Sequence, residues 1–413
     1  MVLKKIYRKS RVAGKVLREQ GFLGFIIVCL QFIQKHTSRK SGHRHGIYTK
    51  ALYEDVLQAD LSKPPKAWPG KNKKQYTFNW LMPPPGKGSG GHMTLFRFIK
   101  YLEDAGHRNR IYLFLPGPKS SIEAVRAIMG DSFPVLRASM EWLDDGEDMQ
   151  GADGIFATSW ETAYPVYNST STGKRFYFVQ DFEPYFYPIG SLYTLAENTY
   201  RFGFFGVTAG GWLAKKLRND YGMETDFFDF ASDKVIYSLS NRLPRKEILF
   251  YARPYTERRG FEMGILALDI FHRKHPDYTI NFLGYDVSDY DIPFPYKNLG
   301  ILEHDELNRL YNRCSAGLVL SLTNMSLLPL ELLTCGCIPV VNDGENNRLV
   351  SDNKFIEYSE NYPAALAQSL SMIVSSKTAV NHAENAAASV VANSWEDSGK
   401  KFVNVVEKQM KKN

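Results

Sequence analysis

The chain has 413 residues, 44% of them hydrophobic and 14% aromatic, with four cysteines. That length exceeds one ordinary core and fits two domains, and so few cysteines exclude a disulfide-built secreted scaffold and point to a reducing, cytoplasmic compartment. The net charge of +7 is uneven: residues 1–50 hold twelve Lys and Arg against one acid, Glu19, so the remainder is net acidic, which argues against a nucleic-acid partner bound on a basic folded face.

Residues 1–60 read as a basic amphipathic helical arm. Leu3, Ile6, Tyr7, Ala13 and Leu17 fall near one helical face, with Lys4, Arg8, Lys15 and Arg18 mostly elsewhere. The apolar run Gly21–Ile33 has 13 residues, short of the roughly 20 that span a bilayer. Lys35, Arg39, Lys40 and Arg44 follow it in place of a cleavage pattern. Such an arm suits peripheral attachment to an anionic membrane surface through residues 1–45, at the inner face of the plasma membrane. The alternative is an extension that packs on protein.

Beyond a Pro- and Lys-rich linker, Ser62–Lys74, the chain alternates strands and helices. Tyr76–Met82 predicts a buried strand, His92–Asp104 a helix and Arg110–Leu115 the next strand. Gly154–Ala157, Phe176–Gln180 and Gly206–Thr208 read as strands, Ser191–Tyr200 and Trp212–Tyr221 as helices. The polar segment Ser240–Lys246 reads as an inter-domain linker. Ile248–Tyr251, Tyr278–Leu283, Gly317–Leu322 and Ile338–Val341 then read as strands, with helices over Gly260–His275, Asp305–Asn312 and Pro329–Cys335. Pro363–Ser375 and a long Ala379–Lys411 helix close the chain. This alternation predicts an α/β protein with two Rossmann-like halves, residues 75–240 and 247–395, facing across a cleft, and a last helix over 396–413 packed toward the first half.

Four stretches carry candidate chemistry. Thr323, Asn324, Met325, Ser326, Leu327, Leu328 and Glu331 follow a buried strand and open a helix. Unpaired backbone N–H groups there suit a phosphate, and Glu331 suits ribose hydroxyls. Arg253 and Arg259 follow the strand Ile248–Tyr251, and two guanidinium forks suit a diphosphate. Gly90 and Gly91, in the stretch Gly88–His92, permit close backbone approach to a donor, and His92 could touch a sugar or an acceptor. Gln180, Asp181 and Glu183 stand among aromatics at a strand end, an arrangement fitted to sugar hydroxyls and pyranose faces. Each stretch also has a plain structural reading: a helix cap, a solvated arginine pair, a helix start, and a loop packed on the first core. Asp289-Tyr290-Asp291 reads as a loop. Cys335 and Cys337 lack metal-ligand spacing, so no metal site is expected.

Together these residues resemble the retaining GT-B glycosyltransferases of family 4. The resemblance rests on Arg253, Arg259-Gly260, Asn298-Leu299-Gly300, Ser321, Thr323-x7-Glu331, Cys335-Gly336, Pro339-Val340-Val341 and Ser394-Trp395-Glu396. The form Thr-Asn-Met-Ser-Leu-Leu-Pro-Leu-Glu, with Gln180-Asp181-Phe182-Glu183-Pro184, is similar to bacterial rhamnosyltransferases of the WsaF type, which use dTDP-β-L-rhamnose. The resemblance implies an acceptor-binding first domain and a nucleotide-sugar-binding second domain. It implies transfer of a hexose, L-rhamnose from dTDP-L-rhamnose, with retention and without a metal, onto a glycan or lipid-linked glycan in cell-surface polysaccharide synthesis. Arg253, Arg259, Asp181 and Glu183 would then be catalytic, Gln180, Asp181 and His92 would meet the acceptor, and no cofactor beyond the nucleotide sugar is needed. One departure stands out: the first acid of the family's acid-x7-Glu pair is Thr323 here. Two other readings use the same residues: a sugar-nucleotide epimerase, and a non-catalytic membrane-attached assembly subunit.

Overall fold

The computed structural model describes residues 50–412 except 66–67, 87–88, 115–118, 131–132, 145 and 393. The arm therefore lies outside the described residues up to position 49, as does Gly88 of the glycine-rich stretch. Of the described residues, those up to Tyr53 belong to one unit and those from Glu54 onward to another.

Within Glu54–Asn413 there are two parallel sheets. The first contains β1 (Thr77–Met82), β2 (Arg108–Leu113), β3 (Ser139–Trp142), β4 (Gly154–Ala157), β5 (Lys174–Val179), β6 (Phe205–Ala209) and β7 (Thr225–Phe228), in the order β3-β2-β1-β4-β5-β6-β7. The second contains β8 (Glu247–Tyr251), β9 (Thr279–Leu283), β10 (Lys297–Gly300), β11 (Cys314–Leu318), β12 (Ile338–Asn342) and β13 (Glu357–Ser359), in the order β10-β9-β8-β11-β12-β13. Every pair between neighbouring strands is parallel. Strand order reverses at β1/β4 and at β8/β11, the places where open α/β sheets leave a crevice at the strand carboxyl ends.

Burial explains the central strands. A parallel sheet covered on both faces needs apolar residues at successive positions, and all of β4, β6 and β12 is buried. The first core is aromatic: Trp80 stacks on Phe156 with ring centroids 3.9 Å apart, and Phe156 on Phe176 at 4.6 Å. Trp80 Nε1 donates to Asn109 Oδ1 at 3.0 Å, so this buried indole leaves no unpaired donor. The second core gathers Ile248, Phe250, Leu268, Phe282, Leu318 and Val340.

Several elements differ from the sequence expectation. The edge strands β3, β10 and β13, the strand β7, and the helices Ile122–Met129 and Trp160–Asn168 have no counterpart in it. The expected Ala379–Lys411 helix is two, Ala379–Ser389 and Trp395–Lys411. Ser394 starts the second one afresh, its side chain accepting from Asp397 N at 3.0 Å. That helix packs on the first half's aromatics, with Phe402 4.8 Å from Phe98 of the helix Gly90–Asp104 and 6.2 Å from Phe156 of β4. Arg97 lies 4.4 Å over Trp395. No described helix is long and apolar enough to cross a membrane.

Candidate functional site

Two loops leave the second sheet at its reversal point. The loop after β8 carries Arg253, Arg258 and Arg259 and ends at Gly260. Gly260 has φ 57 and ψ 42, a left-handed conformation that only glycine adopts cheaply. A Cβ there would also stand 3.1 Å from Leu320. This turn lets the helix Phe261–Lys274 begin directly after the arginines.

The loop after β11 is held from three sides. Arg259 Nη1 donates to Ser321 Oγ at 2.7 Å, and that hydroxyl donates on to Asn324 O at 2.7 Å. Ser321 N donates to Asn342 Oδ1 at 2.7 Å. Ser321 O accepts from Asn342, Asn346 and Asn347 side-chain amides at 2.9, 2.9 and 3.1 Å. These asparagines end β12 or follow it, and they escaped the sequence reading. Their signal is the run Asn342, Asn346, Asn347 around Gly344, directly after Pro339-Val340-Val341.

The first half meets this loop at the ends of β5 and β6. Asn324 Nδ2 donates to Gln180 O at 3.0 Å and Ala209 O at 2.9 Å. Asp181 Oδ1 accepts from Asn324 N at 3.0 Å and from Phe182 N at 2.9 Å. Its Oδ2 accepts from Thr323 Oγ1 at 3.0 Å and from Arg258 Nε at 3.2 Å. Gly91 lies against Gln180, whose side-chain amide would stand 3.5 Å from a Cβ there, whereas Gly90 faces open space.

The structure thus brings Gln180, Asp181, Arg259, Thr323 and Asn324 together, with Arg258, which the sequence reading left outside. Arg253 is loosely held: its Nη1 reaches Gly284 O only at 3.5 Å. Burial pulls the Arg259 guanidinium below its usual range, opposed by Asp181, yet an arginine stays cationic. Glu331 is partly buried. Burial pushes its carboxyl up to about 7, while a hydrogen bond to Tyr237 opposes the rise.

Four of the expected residues have partners within the protein. His92 Nε2 meets Pro83 O at 3.0 Å and its Nδ1 meets Ser89 Oγ at 2.8 Å. A carbonyl only accepts, so Nε2 carries the proton, and burial lowers the ring's pKa. The imidazole straps the helix start to the end of β1. Glu183 belongs to the first half: it accepts from Trp160 N at 2.5 Å and Tyr177 Oη at 2.9 Å. Burial raises its carboxyl well above the usual range, and it tethers the start of the helix Trp160–Asn168. Asp181 has all its acceptor positions filled, by Phe182 N, Asn324 N, Thr323 Oγ1 and Arg258 Nε, so it ties the first half to both loops of the second. Finally, Asn324 N is spent on Asp181 and Met325 N on Asn346 O at 3.3 Å. The backbone donors open to a phosphate therefore begin at Ser326. Met325 and Leu328 side chains are buried and contribute packing. Ser326 Oγ and Asn324 Oδ1 are buried without a partner among the described residues. Asp289-Tyr290-Asp291 is a loop, and Tyr290 packs its ring 5.0 Å from Phe261.

Comparison with known proteins agrees with this arrangement. The WsaF N-terminal domain model matches residues 147–209 and the WsaF C-terminal domain model residues 246–371. The O-antigen biosynthesis protein RfbC of Myxococcus xanthus is 31% identical over 332 residues, which is 78% of this chain and 26% of RfbC. The chain thus spans about a quarter of that relative. A glycosyltransferase from Rickettsia africae ESF-5 superposes with TM-score 0.58 at 14% identity, over 83% of this chain and all of that one. Anabaena Alr3699/HepE in complex with UDP-glucose gives TM-score 0.58 at 14% identity, over 81% of this chain and 98% of that one. At such identity the likeness establishes the fold. Two Rossmann-like halves, with both WsaF domain models matched in order along the chain, give this protein the GT-B fold and a likeness to WsaF in each half.

Proposed function

We propose that the chain is a glycosyltransferase that moves a sugar from a nucleotide donor onto a glycan acceptor in bacterial cell-surface polysaccharide synthesis. The observation that carries this reading is the junction of Arg259 with the loop Ser321–Leu328 at the carboxyl ends of β8 and β11, on the same loop that carries Arg253. Two arginines on one loop offer a diphosphate two forks, and the unpaired Ser326 Oγ and Asn324 Oδ1 are the kind of buried polar atoms a bound ligand satisfies. The naming of RfbC as an O-antigen biosynthesis protein and the UDP-glucose bound by HepE support the same substrate class.

The donor diphosphate lies on Arg253, Arg259 and the N–H groups from Ser326 onward, with Glu331 on the nucleoside hydroxyls. As the glycosidic bond breaks, negative charge grows on the leaving phosphate. Preorganised cationic donors stabilise that charge by about 3–4 kcal/mol per key group in comparable anion holes. Transfer proceeds with retention, the acceptor hydroxyl attacking from the face the diphosphate leaves and giving its proton to that phosphate. Charge neutralisation by arginine makes the reaction independent of metal. The donor is dTDP-L-rhamnose: the Thr323 hydroxyl is committed to Asp181, so no open carboxylate stands there for a C6 hydroxyl, which suits a 6-deoxy sugar. Residues 1–45 attach the protein to the inner face of the plasma membrane.

The test is a screen of nucleotide sugars for nucleoside diphosphate release dependent on octyl α-L-rhamnoside, run with and without EDTA. Release from dTDP-L-rhamnose, unchanged by EDTA and absent without acceptor, is the expected result. Conversion of the nucleotide sugar with no acceptor present would instead indicate an epimerase.

A further inference from the structure

Asp181 and its partners form the tightest junction between the halves. A carboxylate has about four lone-pair positions, and here each is taken: Phe182 N and Asn324 N on Oδ1, Thr323 Oγ1 and Arg258 Nε on Oδ2. Three of these four donors come from the second half, and Arg258 is the charged one. Its guanidinium also lies 3.9 Å over the ring of Phe186, on the first half. Its own carbonyl accepts from Leu322 N at 2.9 Å, inside the loop after β11. One residue thus touches the first half twice and the donor loop once, while its neighbour Arg259 grips the same loop at Ser321.

We propose that Arg258 is a positioning residue for transfer, holding Asp181 so that the loop Ser321–Leu328 and the arginines beside it stay in register with the acceptor-binding half. The inference rests on the glycosyltransferase reading. The nucleotide itself is held by groups of the second half, Arg253, Arg259 and the loop, none of which needs Arg258's side chain. Removing that side chain leaves Asp181 with neutral donors alone and frees the Phe186 ring face. A charge-assisted pair that is mostly buried is worth more than an exposed one, so its loss loosens the alignment of donor against acceptor. Binding of the nucleotide survives and turnover does not.

The experiment compares Arg258→Ala, Arg258→Lys, Asp181→Asn and the Asp181→Asn/Arg258→Ala pair. It measures kcat and KM for dTDP-L-rhamnose, and dTDP and UDP affinity by calorimetry. We expect Arg258→Ala to lower kcat by about tenfold or more with nucleotide affinity within about twofold of wild type. Arg258→Lys should recover part of the loss, because a lysine reaches Asp181 but has no planar face for Phe186. The double variant should be no worse than the more impaired single one. Near-normal turnover in Arg258→Ala, a fall in nucleotide affinity matching that of Arg253→Ala, or additive losses in the double variant would each overturn the proposal. A wild-type protein that releases nucleoside diphosphate from no nucleotide sugar would overturn the glycosyltransferase reading itself.

Discussion

At the scale of single residues, the site divides charge between its halves in an unusual way. The carboxylate beside Thr323 comes from Asp181, 142 positions away in sequence. An acid at 323 would set two carboxylates about 3 Å apart, a repulsion that a hydroxyl donor avoids. Glu331 carries a second consequence. Burial raises its carboxyl to about 7 from 4.5, helped by Asp233 and opposed by Tyr237 and Arg97. Its folded-state pKa is therefore above its unfolded value, and the folded protein binds the extra proton between those two limits. Stability is lost as pH rises through that window. Glu331→Gln removes the ionisation, so its melting temperature should gain on wild type between pH 5 and pH 8. Calorimetry over the same range should show dTDP affinity of the wild type rising with pH through about 7, and that of the variant low and flat. Parallel melting curves and identical affinities would contradict this role. Arg253, Arg259 and Glu331 could be singled out in sequence because each follows a strand or opens a helix. Arg258 and the three asparagines were not, because their partners lie 21 to 77 positions away and a linear pattern holds no trace of such pairing.

At the scale of elements, legibility tracked burial. β1, β8 and β12 are mostly apolar runs inside a covered sheet, and each was visible in sequence to within one residue, whereas β11 starts three residues before the expected Gly317 and ends four before Leu322. β3 alternates exposed and half-buried positions, and β10 is exposed or half-buried throughout, so neither shows the unbroken apolar run by which buried strands are recognised. The break between Ala379–Ser389 and Trp395–Lys411 was hidden because helical composition continues across it; only the Ser394-x-x-Asp397 cap marks the new start. Ser394→Ala removes a capping acceptor, and such losses cost about 1 kcal/mol. Chemical denaturation should show that decrease with the m-value unchanged, and no loss of stability would mean the cap is not what starts the helix.

At the scale of the whole molecule, the chain folds back on itself. After leaving the second sheet it returns through Trp395–Lys411 to the first, where Met410 O accepts from Trp68 Nε1 at 2.9 Å and from Lys71 N at 3.1 Å. Lys215 and Glu345 pair across the halves at 2.9 Å, beside Gly210, whose absent side chain leaves room for Val350. The halves are thus joined at Asp181, along this second contact and through the last helix. On the proposed function, residues 1–45 attach the protein to an anionic membrane surface. Deleting residues 1–45 should abolish flotation with anionic liposomes, and unchanged flotation would sink the membrane assignment. The most direct measurement of the central claim is kcat/KM for dTDP-L-rhamnose in Arg253→Ala and Arg259→Ala. The account predicts a fall of at least about a hundredfold in each, about 2.7 kcal/mol of lost transition-state stabilisation; near-normal values in both would contradict the diphosphate site on which the proposed function stands.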